Sequence, residues 1–145
     1  MKQRGRWMRI LVLYYGILQS LHLLTLARAG LLILQDVVYP FPILPPPEGW
    51  NQQSMAFLFG LAGTDVVGIF LGIIFAGKLI LKGKLNRTLG ILSLTIFITG
   101  AVVFGAGTFP SGAWAAHPVA YGVMVVLFVP ALILFYQLLK YPKAV

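Results

Sequence analysis

The chain has 145 residues, 59% of them apolar and only 10% charged, with a formal charge of +8 and a mean hydropathy of +0.92. Soluble domains carry about 25% charged residues, and a small soluble fold cannot hide this much apolar surface, so a water-soluble globule is excluded. The absence of cysteine also excludes disulfides, thiol nucleophiles, thiolate metal sites and iron–sulfur clusters.

Four apolar runs are long enough to cross a hydrocarbon core of about 30 Å as helices, at about 20 residues each. Such segments must satisfy their backbone groups internally, and the runs do not alternate as barrel strands would. The first run extends over residues 8–34, and Lys2, Arg4, Arg6 and Arg9 cluster at its start. Its polar residues include Gln19, Ser20, His22 and Arg28. Ala27-Arg28-Ala29 before Gly30 also reads as a signal-peptide cleavage site. The apolar stretch continues through Leu34, however, which is long for a signal and favours retention. Histidine is a usual axial ligand of haem and of chlorophyll-type pigments, so His22 is the one candidate for a cofactor. Core or polar packing is its expected role, and no cofactor is predicted.

Residues 36–54 form the long connection to the second run. Prolines at 40, 42, 45, 46 and 47 forbid a regular helix there and favour extended backbone. Its first half, Val37 to Leu44, is too apolar for a solvated linker, so Tyr39 and Phe41 are expected to contact membrane or a partner protein.

The second run, residues 55–80, carries the sharpest pattern of the chain. Gly60, Thr64, Gly68, Gly72 and Ala76 repeat at a spacing of four, which makes one small-residue ridge on a helix and lets two backbones approach closely. That ridge suits internal packing, or docking of a second protein. Asp65, beside it, is the one acidic residue within a run. It stands about 15 Å below Met55 at 1.5 Å per residue, near the bilayer midplane. A carboxylate there costs about 2.5–3.5 kcal/mol on the lenient insertion scale, so it must be protonated, paired or hydrated. Arg28, His22 and Gln19 are its expected companions in an intramembrane polar centre, with Ser93, Thr95 and Thr99 as alternatives.

Lys78, Lys82, Lys84 and Arg87 surround the turn to the third run, residues 88–109. The fourth run, residues 114–139, holds Pro130 and is followed by Lys140 and Lys143. Pro130 frees a carbonyl near Val126 within the membrane, and His117-Pro118 reads as a helix start. Trp7, Trp50 and Trp114 lie near run ends, where aromatic belts are expected.

All basic residues except Arg28 fall on one side of a four-span topology, and Lys/Arg-rich flanks face the cytoplasm. The expected fold is a single all-α membrane domain over residues 1–145, a four-helix bundle with both termini cytoplasmic, assigned to the plasma (inner) membrane. The basic flanks attract anionic lipid heads on that face, which makes nucleic acid superfluous as a partner. In outline alone, the layout resembles sterol-isomerase and sigma-2-type membrane proteins, and no motif carries residues across. Neither a nucleophile–base–orienter set, nor a phosphate loop, nor metal-ligand spacing is present. The leading expectation is a non-catalytic accessory subunit bound to other membrane proteins. The alternatives are a pocket for a lipid-like or quinone-like molecule around Asp65, and an oligomeric proton or ion pathway.

Overall fold

A computed structural model of the chain describes residues 2–35, 52–110 and 112–140. The proline-rich connection, with Tyr39, Phe41 and Trp50, lies outside the described residues. Every regular element among them is helical: α1 (Lys2–Leu34), α2 (Gln52–Lys82), α3 (Arg87–Thr108), the single turn α4 (Ala113–Ala116) and α5 (Pro118–Lys140). Four of these, α1, α2, α3 and α5, are long and apolar enough to cross a membrane.

The turns follow from local chemistry. Gly83 closes α2 at φ 61°, its N–H donating to the Leu79 carbonyl at 3.0 Å. A left-handed residue after a helix favours glycine because it has no Cβ. Asn86 then opens α3, its side-chain oxygen accepting from the Leu89 N–H at 3.0 Å, as an N-cap should. The fourth apolar run does not start as one helix at Trp114. His117 breaks it at φ −130° and ψ 55°, because the residue before a proline is pushed out of the helical region. Pro118 then takes the first position of α5, where its missing N–H costs nothing.

The helices pack in the cyclic order α1–α2–α3–α5. At one end the interior is dry and tightly filled. Val12, Phe75, Leu94, Leu134 and Leu138 are fully buried there, with Met8 and Leu79 beside them. Gly90 admits this packing, since a Cβ on it would stand 2.7 Å from the Phe75 ring and 2.8 Å from Leu138 Cδ1. Arg87 locks the same end. Its Nε donates to the Leu138 carbonyl at 2.7 Å and its Nη2 to that of Leu139 at 3.0 Å, which satisfies two of the orphan carbonyls that close α5.

Toward the other end the packing thins. Beyond Gln19 no described side chain of α1 is fully buried, and none of α2 before Gly68. Residues 122–127 of α5 are all exposed, so apolar surface faces outward there on every side. An aromatic cluster ties this end together instead. Trp114 stacks on Tyr121 at 4.6 Å and meets Phe109 edge-on at 6.0 Å, and its indole N–H donates to Thr108 Oγ1 at 3.1 Å.

Candidate functional site

Tyr15, Gln19 and Ser93 gather at the seam where α1, α2 and α3 meet, and glycines help create that seam. Gly16 of α1 faces Ala76 of α2 so closely that a Cβ on it would lie 2.6 Å from Ala76 Cβ. Gly68 faces Ile96 of α3 at 2.8 Å on the same measure. At Gly72 the point a Cβ would occupy lies 2.9 Å from Gln19 Cγ, 2.9 Å from Ser93 Oγ and 3.1 Å from Tyr15 Cε1. Three side chains from two neighbouring helices therefore converge on one bare Cα.

That convergence builds a hydrogen-bonded chain. Ser93 Oγ donates to the Gly68 carbonyl at 2.9 Å, and Tyr15 Oη lies 2.8 Å from Ser93 Oγ. A serine hydroxyl has a single hydrogen. Because Ser93 gives it to Gly68, the Tyr15 hydroxyl is the donor of the second bond. The chain thus runs in one direction, from α1 through α3 to the backbone of α2. Both Tyr15 and Ser93 are fully buried. Gln19, one turn beyond Tyr15 on the same face of α1, is fully buried as well, yet neither its Oε1 nor its Nε2 has a hydrogen-bond partner among the described residues. An unsatisfied buried amide costs about 1–3 kcal/mol.

Asp65 forms a separate station. Its Oδ1 would lie 2.5 Å from a Cβ on Gly100 of α3, so the carboxyl nests against a glycine backbone. It is half-buried, and no hydrogen bond or ion pair reaches it among the described residues. Asp65 precedes Gly72 by seven residues, which sets the two stations about 10 Å apart along α2. Arg28 stands apart from both and is exposed. His22 packs its ring edge-on to Phe97 at 6.5 Å, and Phe97 also meets Tyr15 at 5.7 Å and Phe128 of α5 at 5.4 Å. The expected companions of Asp65 are therefore divided: Gln19 sits at the Tyr15–Ser93 station, His22 on the Phe97 hub, and Arg28 outside.

The ridge on α2 is also divided. Gly68, Gly72 and Ala76 are buried against α1 and α3, whereas Gly60 and Thr64 are exposed. Among the described residues, a Cβ on Gly60 or on nearby Gly63 would meet nothing within 4 Å. Thr64 Oγ1 donates back to the Leu61 carbonyl at 2.8 Å, which satisfies its hydroxyl within its own helix.

Pro130 lies within α5, which continues to Lys140. The Tyr14 hydroxyl donates to the Leu127 carbonyl at 2.7 Å, three residues before the proline, and so ties α1 to α5 where the ring disturbs the helix. Gly16 and Gly100 carry no distinctive sequence signal, and Tyr14 and Tyr15 carry a weak one. A tyrosine pair in an apolar run was the one clue available, since a buried phenol seeks a partner.

Among the described residues no group of three or more His, Asp or Glu side chains stands where it could hold a metal ion. His117, Pro118 and their neighbours Ala116, Val119 and Ala120 line a shallow, open depression at the aromatic end. No protein-family model matches this chain, and no curated protein or solved structure matches it either.

Proposed function

We propose that this protein is a multi-pass membrane protein with both termini in the cytoplasm, acting as a non-catalytic accessory subunit of a larger membrane assembly. The orientation is supported by the basic residues, which collect at the end where Arg87 caps α5, because Lys/Arg-rich flanks stay cytoplasmic. The plasma (inner) membrane fits that rule, and anionic lipid heads suit the same surface.

The observation that carries the subunit reading is the open half of the α2 ridge. Its inner half is consumed by α1 and α3, while Gly60, Gly63 and Thr64 are exposed, and among the described residues nothing lies within 4 Å of where a Cβ on either glycine would stand. In lipid, helix association depends on close packing rather than on apolarity, so such a surface suits a helix from a partner protein. The test is purification in gentle detergent of the wild type and of Gly60→Leu and Gly63→Leu. A stoichiometric membrane partner is expected with the wild type and is expected to be lost from both variants, with their thermal midpoints unchanged. If leucine instead lowers the midpoint of the isolated protein, the patch is covered by this chain's own residues and the subunit reading fails.

A second reading, a pocket for a lipid-like or quinone-like molecule, draws support from Asp65, which is half-buried and without a polar partner among the described residues. It predicts a protein stable alone that retains such a molecule on purification, and mass spectrometry of the bound lipids separates the two readings. A proton or ion path through a single copy is disfavoured by the dry core of Val12, Phe75, Leu94, Leu134 and Leu138 below Tyr15.

A further inference from the structure

On the lipid-pocket reading, on which this rests, we infer that a neutral lipid enters the bundle sideways behind Met124 of α5 and sets a hydroxyl or carbonyl head against His22. The inward stripe of α5 runs through Tyr121, Phe128, Ala131, Leu134 and Leu138, all buried except the half-buried Phe128. Met124 occupies the same stripe, between Tyr121 and Phe128, yet it is 40% exposed. No direction is shielded there. Residues 122–127 are all exposed, and six residues at about 100° each cover the whole circumference of a helix. Rings close the gap at both ends. Tyr121 stacks over Phe104 of α3 at 6.5 Å, and Phe128 meets Phe97 at 5.4 Å, while the Tyr14 hydroxyl holds the Leu127 carbonyl from α1. Between Tyr121 and Phe128 the helix stands clear of its neighbours over about 10 Å, at 1.5 Å per residue.

Behind this window stands an unpaired polar ring. His22 is half-buried, packs on Phe97 and has no hydrogen-bond partner among the described residues. Phe97 also touches Phe128, so the imidazole lies one ring away from the lower edge of the gap. Depth selects the ligand. His22 is about ten residues, or about 15 Å, from the Leu32 end of its apolar span. A phosphate or ammonium head is too costly to bring that far from water, which excludes phospholipids. A neutral imidazole offers one N–H donor and one nitrogen acceptor. A hydroxyl can serve either of them, and a carbonyl the first. The tail then leaves past Met124, whose flexible thioether adapts to an apolar guest. Asp65 sits on α2, diagonal to α5 in the cyclic order of the helices, so entry beside Asp65 and entry beside Met124 mark different helices.

The experiment gives the full chain, in phosphatidylcholine bilayers, hexadecanol carrying a diazirine midway along its chain. Phosphatidylcholine with the same diazirine is the comparison. After illumination, mass spectrometry of peptides locates the adducts. Labelling by the alcohol is expected to concentrate on residues 122–128 and to fall when unlabelled hexadecanol is added. The phospholipid is expected to mark the outer faces of all four spans without saturating. His22→Leu should weaken the saturable labelling about fivefold, the worth of one net hydrogen bond. Met124→Trp should fill the gap and remove that labelling, with the thermal midpoint unchanged or raised. Saturable labelling beside Asp65 on α2, untouched by Met124→Trp, would overturn the window and leave the lipid-pocket reading standing. Unsaturable labelling spread over every span, as with the phospholipid, would also overturn the window. The pocket reading then stands or falls separately, by the lipids that the wild type retains on purification. Should His22→Leu fail to fold, Met124→Trp, which fills open space, still decides.

Discussion

Asp65 shows how one side chain can depend on the absence of another. Its carboxyl fits because Gly100 lacks a Cβ, which would stand 2.5 Å from Oδ1. Gly100→Ala is therefore expected to cost about 1–3 kcal/mol, the usual range for overpacking. In an Asp65→Ala background the clashing oxygen is gone, and the same substitution should cost much less. A double-mutant cycle by thermal unfolding in detergent measures this coupling. Equal costs in both backgrounds would mean that Asp65 does not rest on Gly100. Asp65 itself was legible in the sequence, since an intramembrane acid is conspicuous in any apolar run. Its seat was not, because nothing in the spacing of α3 distinguishes Gly100 from the other glycines of that helix.

At the scale of the element, α2 is two helices in one. Its inner half binds α1 and α3 through bare backbone, and Ser93 reaches the Gly68 carbonyl only because Gly72 carries no side chain. Gly72→Ala should block that approach, pressing on Ser93, Gln19 and Tyr15 together, and lower stability by about 1–3 kcal/mol. Gly60→Ala, in open space on the same ridge, should be neutral or gain up to about 1 kcal/mol from helix propensity. Thermal midpoints of the two variants check the pair, and similar losses at both sites would contradict the division of the ridge. The spacing of four revealed the ridge itself. It could not reveal where the neighbours stop, since that depends on where α1 crosses α2, at Gly16 and Ala76.

For the whole molecule, the gradient from a dry, filled end to a thinner aromatic end accords with the charge pattern. Lys84 and Lys140 are exposed at the end that Arg87 closes, and Gln35 is exposed at the other. With both termini cytoplasmic, single cysteines at Lys84 and Lys140 should be shielded from an impermeant thiol reagent added to intact cells. A cysteine at Gln35 should be labelled. Labelling of Lys84→Cys from outside would reverse the proposed orientation.

Composition and run length by themselves determined that the chain is all-helical with four apolar helices able to cross a membrane, because lipid imposes a length and demands that backbone groups be satisfied within each segment. Sequence also marked Gln19, Asp65 and the α2 ridge, since polar or small residues stand out against apolar neighbours. Only the tertiary structure decided that Gln19 and Asp65 occupy separate stations, that Arg28 lies outside both, and that Tyr15 and Ser93 share a directed bond. These depend on how one helix is rotated and shifted against the next. That rotation is set by contacts between residues far apart in the chain, such as Tyr15 with Ser93 and Arg87 with Leu138, and the periodicity of a single helix carries no record of them.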